Sequence, residues 1–349
     1  MKTDWNAFLV DAGAEFEDGR VAHYGNPEQE LEIINSGLVF SDLGYFGIIG
    51  AHGKDVESFL QNQLSNDVSR VAENVSQLNA YCTPKGRILG LFRLFRSGNT
   101  WYLRLPADTL DAVIKRLRMY VMRADVTFED VSENFLRMGV TGEAAVQELT
   151  DAVGSVPNEV NHVTHHGDVT ILRVPGVHPR FEIYAASLDA ATGLWDSLNV
   201  RGAPVGLAAW RLTGIHAGMP VIFADTAELF VPQMANLQLV DGLDFKKGCY
   251  PGQEIVARMQ YLGTLKRRMY LGRIESSDPP QPADELFTAG DSSQPSGRIV
   301  DAQPHPDGGY AALAVLQIKA ADAGPLHLGS STGPAFIIED LPYAFEDQE

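Results

Sequence analysis

The feature that most constrains the fold is a hydrophobic period that switches repeatedly between two and about 3.6 residues. From Tyr45 to Gly50 (YFGIIG) the apolar residues bunch as in a strand. From Lys54 to Val68, residues Val56, Phe59, Leu60, Leu64 and Val68 instead recur at three- and four-residue steps, which places them on one face of a helix. Gln77 to Cys82, Arg87 to Arg96 and Thr100 to Leu105 then read as an antiparallel meander around turn signals such as TPKG. A helix is predicted from Thr109 to about Met122, with Asp108 as N-cap and Leu110, Val113, Ile114, Leu117 and Val121 as its apolar stripe. The order recurs more loosely: a strand over Phe135–Val140, a helix over Ala144–Val153, a hairpin around His165-His166-Gly167-Asp168, a strand over Phe181–Ala185 and a helix over Leu188–Leu198. After Leu265 the helical period disappears. Short β-rich runs (RRMYLGRIES, GRIVDA, YAALAVLQI, AFIIED) alternate with SSDPPQPAD and AGDSSQPSG, as in a small antiparallel barrel or sandwich. The expected class is therefore α+β.

A chain of 349 residues has room for two or three domains. With 45% hydrophobic and 21% charged residues it is neither collagen-like, coiled-coil nor mainly disordered. No fixed-period repeat appears, which excludes solenoids and propellers. No apolar run approaches the roughly 18 to 20 residues that cross a bilayer, and acids interrupt the start MKTDWNAFLVDAGAEFEDG where a signal peptide is apolar. A cytoplasmic protein without a membrane partner is expected. Cys82 and Cys249 are the two cysteines, too few and too far apart for a disulfide framework or a Cys-only metal site.

The net charge of −18 is unevenly distributed. Nine Lys/Arg against two Asp/Glu lie between Lys85 and Arg123, and seven against one between Lys246 and Arg273. If these windows meet, with Arg87, Arg93, Arg258 and Arg268 on one surface, they form a positive basin in an acidic shell, suited to a small polyanion or an RNA backbone. Motifs for dinucleotides, P-loop phosphates, serine hydrolysis and zincin chemistry are absent. His162, His165, His166 and Asp168 read as a hairpin tip, because neighbouring strand residues point to opposite faces, so no metal site is expected.

The most informative stretch is Phe245–Arg258, FKKGCYPGQEIVAR. Proline favours the first helical turn, so a helix is predicted to begin near Pro251, leaving Cys249 just before its N-terminus. The helix dipole and the adjacent Lys246 and Lys247 would favour the thiolate and raise its reactivity.

This run, followed by YLGTLKRR, resembles the signature of the YgfZ-type folate-binding proteins, relatives of the glycine-cleavage aminomethyltransferase. SDLGYFGIIGAHGKDVESFLQNQLSNDV, CTPKGRIL, AAWRLTGIHAGMPV and FVPQMANLQLVDGL resemble other parts of the same family, so the resemblance covers about Ser41 to Arg268. It implies three domains in a clover leaf round a central channel that takes tetrahydrofolate or a folate derivative. Residues 1–135 would be a first α+β unit with a ferredoxin-like strand and helix pattern, 136–268 a second unit ending in the KGCYPGQE motif, and 269–349 a small antiparallel β-barrel, with interleaving of the first two allowed. Phe46 and Trp210 would flank the pterin, while Tyr250, Gln253, Glu254 and Arg258 would complete the cofactor site. Cys249, assisted by Lys247, would carry the chemistry, and Phe46, Trp210 and Cys249 would line one shared cavity.

Two departures matter. Aminomethyltransferases have a motif resembling GGI-x-DD, whose aspartate assists the folate nitrogen; the matching stretch here has Gly90 and Leu91 at the acidic positions. His216 stands where relatives often have a glutamate able to pair with the pterin edge. The resemblance thus implies a folate-binding accessory protein for maturation or repair of iron-sulfur enzymes, with effects on tRNA modification reached through such enzymes. Its partners would be folate, those enzymes or their assembly proteins, and tRNA through an indirect or weak contact. Whether it is an enzyme is left open. The alternatives are a folate-dependent aminomethyltransferase, if Asp67 or Asp225 reaches the folate, and a non-enzymatic RNA-binding or scaffold protein.

Overall fold

The chain is described from a computed structural model that covers residues 1–261, 263–290 and 293–345. Its first sheet has five antiparallel strands in the order Gln77–Cys82, Ile88–Ser97, Thr100–Pro106, Phe46–His52 and Thr127–Asp130. The helix Ala107–Val121 lays its stripe on this sheet, burying Leu110, Val113, Ile114 and Leu117 against Ile49, Phe92, Leu94 and Leu103. Asp108 does not cap it. Pro106 occupies the cap position, and the Asp108 carboxylate accepts the Ala224 N–H at 3.1 Å instead.

The helix expected over 54–68 is shorter, Val56–Gln61. Leu64 and Val68 are buried as their spacing requires, but the chain leaves the helix because Ser65 and Asn66 bond to the neighbouring strand. Ser65 Oγ accepts from Ala80 N–H at 2.8 Å, and Asn66 N–H donates to Asn79 Oδ1 at 3.1 Å. Such side chains offer the backbone an alternative to continued helix.

A second, six-stranded sheet runs Val163–His166, Val169–Val174, Arg180–Ala185, Leu136–Thr141, Val39–Asp42 and Ala203–Pro204. Val39–Asp42 precedes the first sheet in sequence yet pairs antiparallel with Leu136–Thr141, so the two sheets draw on overlapping parts of the chain. Helices Lys2–Asp11, Ala145–Val153 and Leu188–Leu198 bury residues in the core of this sheet, where Trp5 meets Trp195 edge to face at 5.6 Å. The hairpin at His165–Asp168 forms as expected, and His165 is spent structurally: its ring nitrogens lie 2.9 Å from Thr170 Oγ1 and 2.9 Å from the Glu73 carbonyl.

The third part is a closed antiparallel barrel of Arg267–Ile274, Tyr310–Gln317, Gly297–Pro304, Glu285–Thr288, Leu326–Leu328 and Ala335–Glu339. Closure removes exposed strand edges. The helix Leu207–His216 packs on two barrel strands, Gly297–Pro304 and Tyr310–Gln317. The irregular segment that follows is clipped to the barrel by Asn236, which has φ 56° and both donates to the Met269 carbonyl at 2.9 Å and accepts its N–H at 3.2 Å. Leu78 and Leu91 of the first sheet, Leu212 and Ile215 of this helix, and Met269, Val300 and Leu313 of the barrel share one core. No helix among the described residues is long and apolar enough to cross a membrane.

Candidate functional site

Where the two sheets, the helix Leu207–His216 and the barrel meet, a cavity encloses about 620 Å³ of empty space including its open mouth. Each part supplies charge: Arg93 and Arg104 come from the first sheet, Arg180 and Glu182 from the second, Arg211 from the helix and Asp301 from the barrel.

The local geometry follows from strand pairing. Arg93 and Arg104 are direct cross-strand partners, an arrangement of like charges that costs stability by itself. Arg180 and Glu182 are two apart on their strand and so share a face. Glu182 grips Arg104 through both oxygens, at 3.0 and 2.5 Å, and accepts the Tyr184 hydroxyl at 2.8 Å. Arg211 pairs with Asp301 at 2.5 Å. Four guanidiniums therefore face two carboxylates, and the balance in the cavity is positive.

Burial would raise the Glu182 carboxyl, but Arg104, Arg93 and Arg180 outweigh it and hold the group below the usual carboxylate range. Burial pushes Arg93 down to about 10, opposed by Glu182, and pushes Arg180 down as well. Both arginines remain cations at neutral pH with incomplete hydrogen bonding. Arg93 donates to Asn161 Oδ1 at 2.7 Å and Ser76 Oγ at 3.3 Å, and Arg180 reaches the Pro175 carbonyl at 3.4 Å, yet the Nε of each is buried without a partner. Unpaired buried donors of this kind cost about 1 to 3 kcal/mol each, more when charged, and Arg96, Arg116, Arg137 and Arg268 carry the same kind of Nε elsewhere, so the cavity is set apart by its charge.

The aromatic rings sit beneath these cations. The Arg104 guanidinium lies 3.9 Å from the Phe46 ring centroid, and that of Arg180 lies 4.3 Å from the Trp210 ring. Phe46 lines the cavity, its ring tilted by 33° against that of Tyr45 with centroids 3.9 Å apart. Trp210 is fully buried behind Arg180 and does not line it. A Cβ at Gly139 would fall 2.4 Å from the Trp210 ring, so glycine is required there for the indole to lie on the strand. The two rings are brought together in one small cluster with Leu43 and Tyr45, rather than facing each other across open space.

The cysteine motif occupies another place. Its helix is Gln253–Tyr261, beginning two residues later than expected, because Gly252 adopts φ 84° and Tyr250 ends the preceding loop by accepting the Gln253 N–H at 3.1 Å. The loop packs on the TPKG turn so closely that a Cβ at Gly252 would sit 2.6 Å from Gly86 Cα. Cys249 is exposed on this loop and does not line the arginine cavity, so the structure does not place Phe46, Trp210 and Cys249 in one shared cavity. Lys247 turns inward: its Nζ donates to the carbonyls of Gln61 at 2.7 Å and Leu64 at 2.5 Å, tying down the end of the helix Val56–Gln61. Burial lowers Lys247 to about 8 against the opposing pull of Asp67 and Asp244. Tyr250 is buried in the common core, Gln253 donates to the Lys247 carbonyl at 3.4 Å, and Glu254 and Arg258 are exposed on the helix; none of the four lines the cavity.

The basic windows divide in space. Arg93 and Arg104 enter the cavity, Arg268 stacks on Phe345 at 4.3 Å, Arg258 is exposed, and Arg87 joins Arg267 in a separate cleft. Arg104, Arg180, Glu182, Arg211 and Asp301 were not singled out by sequence. The available signal was charge inside apolar strands: LFRLF, YLRLP and RFEIYA each carry charged residues in a run that is otherwise core. Leu91, one of the two residues in place of the transferase acids, is a cavity wall, whereas His216 lines a neighbouring pocket on another side of Arg180, where burial and then His305 push it down to about 4.

Known proteins place this architecture. The family described as GCVT N-terminal domain matches residues 11–244. The "tRNA-modifying protein YgfZ" of Escherichia coli (strain SE11) is 30% identical over 333 residues, spanning 92% of this chain and 98% of that protein. The chain belongs to the YgfZ family. The protein of the same name from Cronobacter sakazakii is 30% identical over 92% of the chain and 98% of its own length, and that from Colwellia psychrerythraea 29% identical over 86% and 92%. Among solved structures, the glycine cleavage system aminomethyltransferase T from Bartonella henselae superposes with a TM-score of 0.80 at 19% identity, covering 97% of this chain and 96% of that one. This YgfZ-family chain thus has the aminomethyltransferase fold, with one antiparallel sheet, one mixed sheet and a closed barrel around the arginine cavity.

Proposed function

We propose that this YgfZ-family chain binds tetrahydrofolate, or a folate derivative, in the arginine cavity. The observation that carries the reading is the excess positive charge of a cavity lined by Arg93, Arg104, Arg180 and Arg211 against Glu182 and Asp301. Folates end in glutamate carboxylates, and arginine forks bind such groups with charge-assisted hydrogen bonds. Arg93 and Arg180 would hold the tail, while Arg104, fixed over Phe46 by Glu182, offers a flat cationic surface to the pterin ring. Folate bound there would supply one-carbon or redox chemistry; the residues of this chain bind, orient and neutralise it.

The carboxylates of the cavity do not favour the transferase reading. Glu182 and Asp301 are each committed to an arginine, Gly90 and Leu91 carry no acid, and neither Asp67 nor Asp225 lines the cavity. An accessory role that reaches tRNA modification agrees with the relatives' printed name; its iron-sulfur part is what the family resemblance implies, with the exposed Cys249 as the group that meets a partner. A single thiol supports a transient or shared cluster contact, not a resident cluster.

Calorimetric titration tests the binding step. Tetrahydrofolate should bind the wild type and bind Arg180→Gln about tenfold or more weakly, the value of one charge-assisted hydrogen bond. Equal affinities, or no binding to either, would remove the proposal. In cells, Cys249→Ser should fold normally but lower iron-sulfur enzyme activity, whereas Cys82→Ser should not.

A further inference from the structure

A second cleft, sharing no residue with the arginine cavity, opens between the first sheet and the barrel, with about 670 Å³ of empty space when the open solvent at its mouth is included. Three arginines from distant parts of the chain line it: Arg87, just before the strand Ile88–Ser97, and Arg267 and Arg298 from two barrel strands. Arg87 Nη1 donates to the Leu229 carbonyl at 2.6 Å, Arg267 Nη2 reaches the Pro295 carbonyl only at 3.5 Å, and Arg298 pairs with Glu285 at 2.5 Å. Among the described residues Glu285 is the one acidic partner in an ion pair with any of the three. Burial first, and then the facing Arg298 and Arg87, lower Arg267 below the ordinary arginine value, so the like charges act on one another. Leu229, Phe230 and Met234 form an apolar wall.

Among the described residues, three guanidiniums held together with one carboxylate leave about two positive charges without a counterion. A carboxylate ligand is planar, carries one charge and satisfies one arginine fork. A phosphate monoester carries between about −1.5 and −2 near neutral pH and presents three acceptor oxygens in different directions. We infer that this cleft is a binding site for a phosphate monoester, whose oxygens are taken by Arg87, Arg267 and Arg298 and whose organic part rests on Leu229, Phe230 and Met234. The site is independent of folate binding.

The test is calorimetric titration of the full chain with inorganic phosphate, AMP and triglutamate, in wild type, Arg267→Gln, Arg87→Gln and the exposed-site variant Arg258→Gln. Phosphate or AMP should bind the wild type and Arg258→Gln alike, and each cleft variant about tenfold more weakly. AMP tighter than inorganic phosphate would assign the apolar wall to the ligand's organic part; equal affinity would support a phosphate site and reject that wall's role. Folding is monitored by melting: Arg267→Gln relieves repulsion, so without ligand it should melt no lower than wild type while losing the phosphate-induced rise. Arg267→Lys, which keeps the charge but not the fork, supplies a folded variant if Gln disrupts the barrel. Triglutamate binding more tightly than both phosphates, unchanged affinity in the cleft variants, or no phosphate binding would overturn the inference.

Discussion

Replacing Glu182 by Gln removes the one negative charge that faces Arg93, Arg104 and Arg180 together. Only 2% of the Glu182 residue surface is exposed, and it contacts Arg104 through two hydrogen bonds. At an effective dielectric of about 20, charges roughly 3 Å apart attract by about 5 kcal/mol. Breaking a buried pair from one side typically costs about 3 to 5 kcal/mol, because the remaining charge stays buried and unpaired. The Tyr184 hydroxyl bond adds up to about 1 kcal/mol if Gln turns its amide toward it. Urea unfolding of Glu182→Gln should accordingly show a loss of about 3 to 5 kcal/mol. The pH dependence has a defined sign. Because Glu182 titrates below its unfolded value, its stabilisation is complete above the unfolded pKa of about 4.3 and is lost as pH falls through the lower folded value. Glu182→Gln should lack that acid-side loss. A cost below about 1 kcal/mol, or an unchanged acid limb, would refute the claim that Glu182 holds the arginine cluster together.

Two further predictions concern the cysteine loop and its support. Iodoacetamide should label Cys249 in the native protein and leave Cys82, buried with its thiol pushed up to about 12, until denaturation; labelling of both under native conditions would contradict the packing. Since Lys247 releases its proton near pH 8 when folded but retains it higher when unfolded, stability should rise with pH from about 8 to the ordinary lysine range, and Lys247→Met should remove that rise in melting temperature.

The barrel and the helix Ala107–Val121 were legible because local period and turn chemistry decide them: Gly and Pro clusters punctuate 267–339, and Leu110, Val113, Ile114 and Leu117 leave one buried face. Caps were less so. Asp108 looked like a cap, but the tertiary contact with Ala224 claimed its carboxylate, and Ser65 with Asn66 cut a helix whose apolar spacing continued. The crossing of Val39–Asp42 into the second sheet is a non-local pairing that a short strand does not announce. The cysteine motif is contiguous and was found; the arginine cavity is assembled from two sheets, a helix and a barrel, so Arg180 and Glu182 gain meaning only when the fold sets them against Arg93 and Arg104. Phe46 was read as a ligand surface, and the structure adds that Arg104 covers its face.

The central claim is that the arginine cavity, and not the cysteine loop, receives folate. The most direct measurement is a crystal structure of the chain with tetrahydrofolate. Density is expected in the cavity beside Phe46, with glutamate carboxylates within hydrogen-bond distance of the Arg93 and Arg180 guanidiniums. Density on the Cys249 loop, with no ligand at those two arginines, would contradict it.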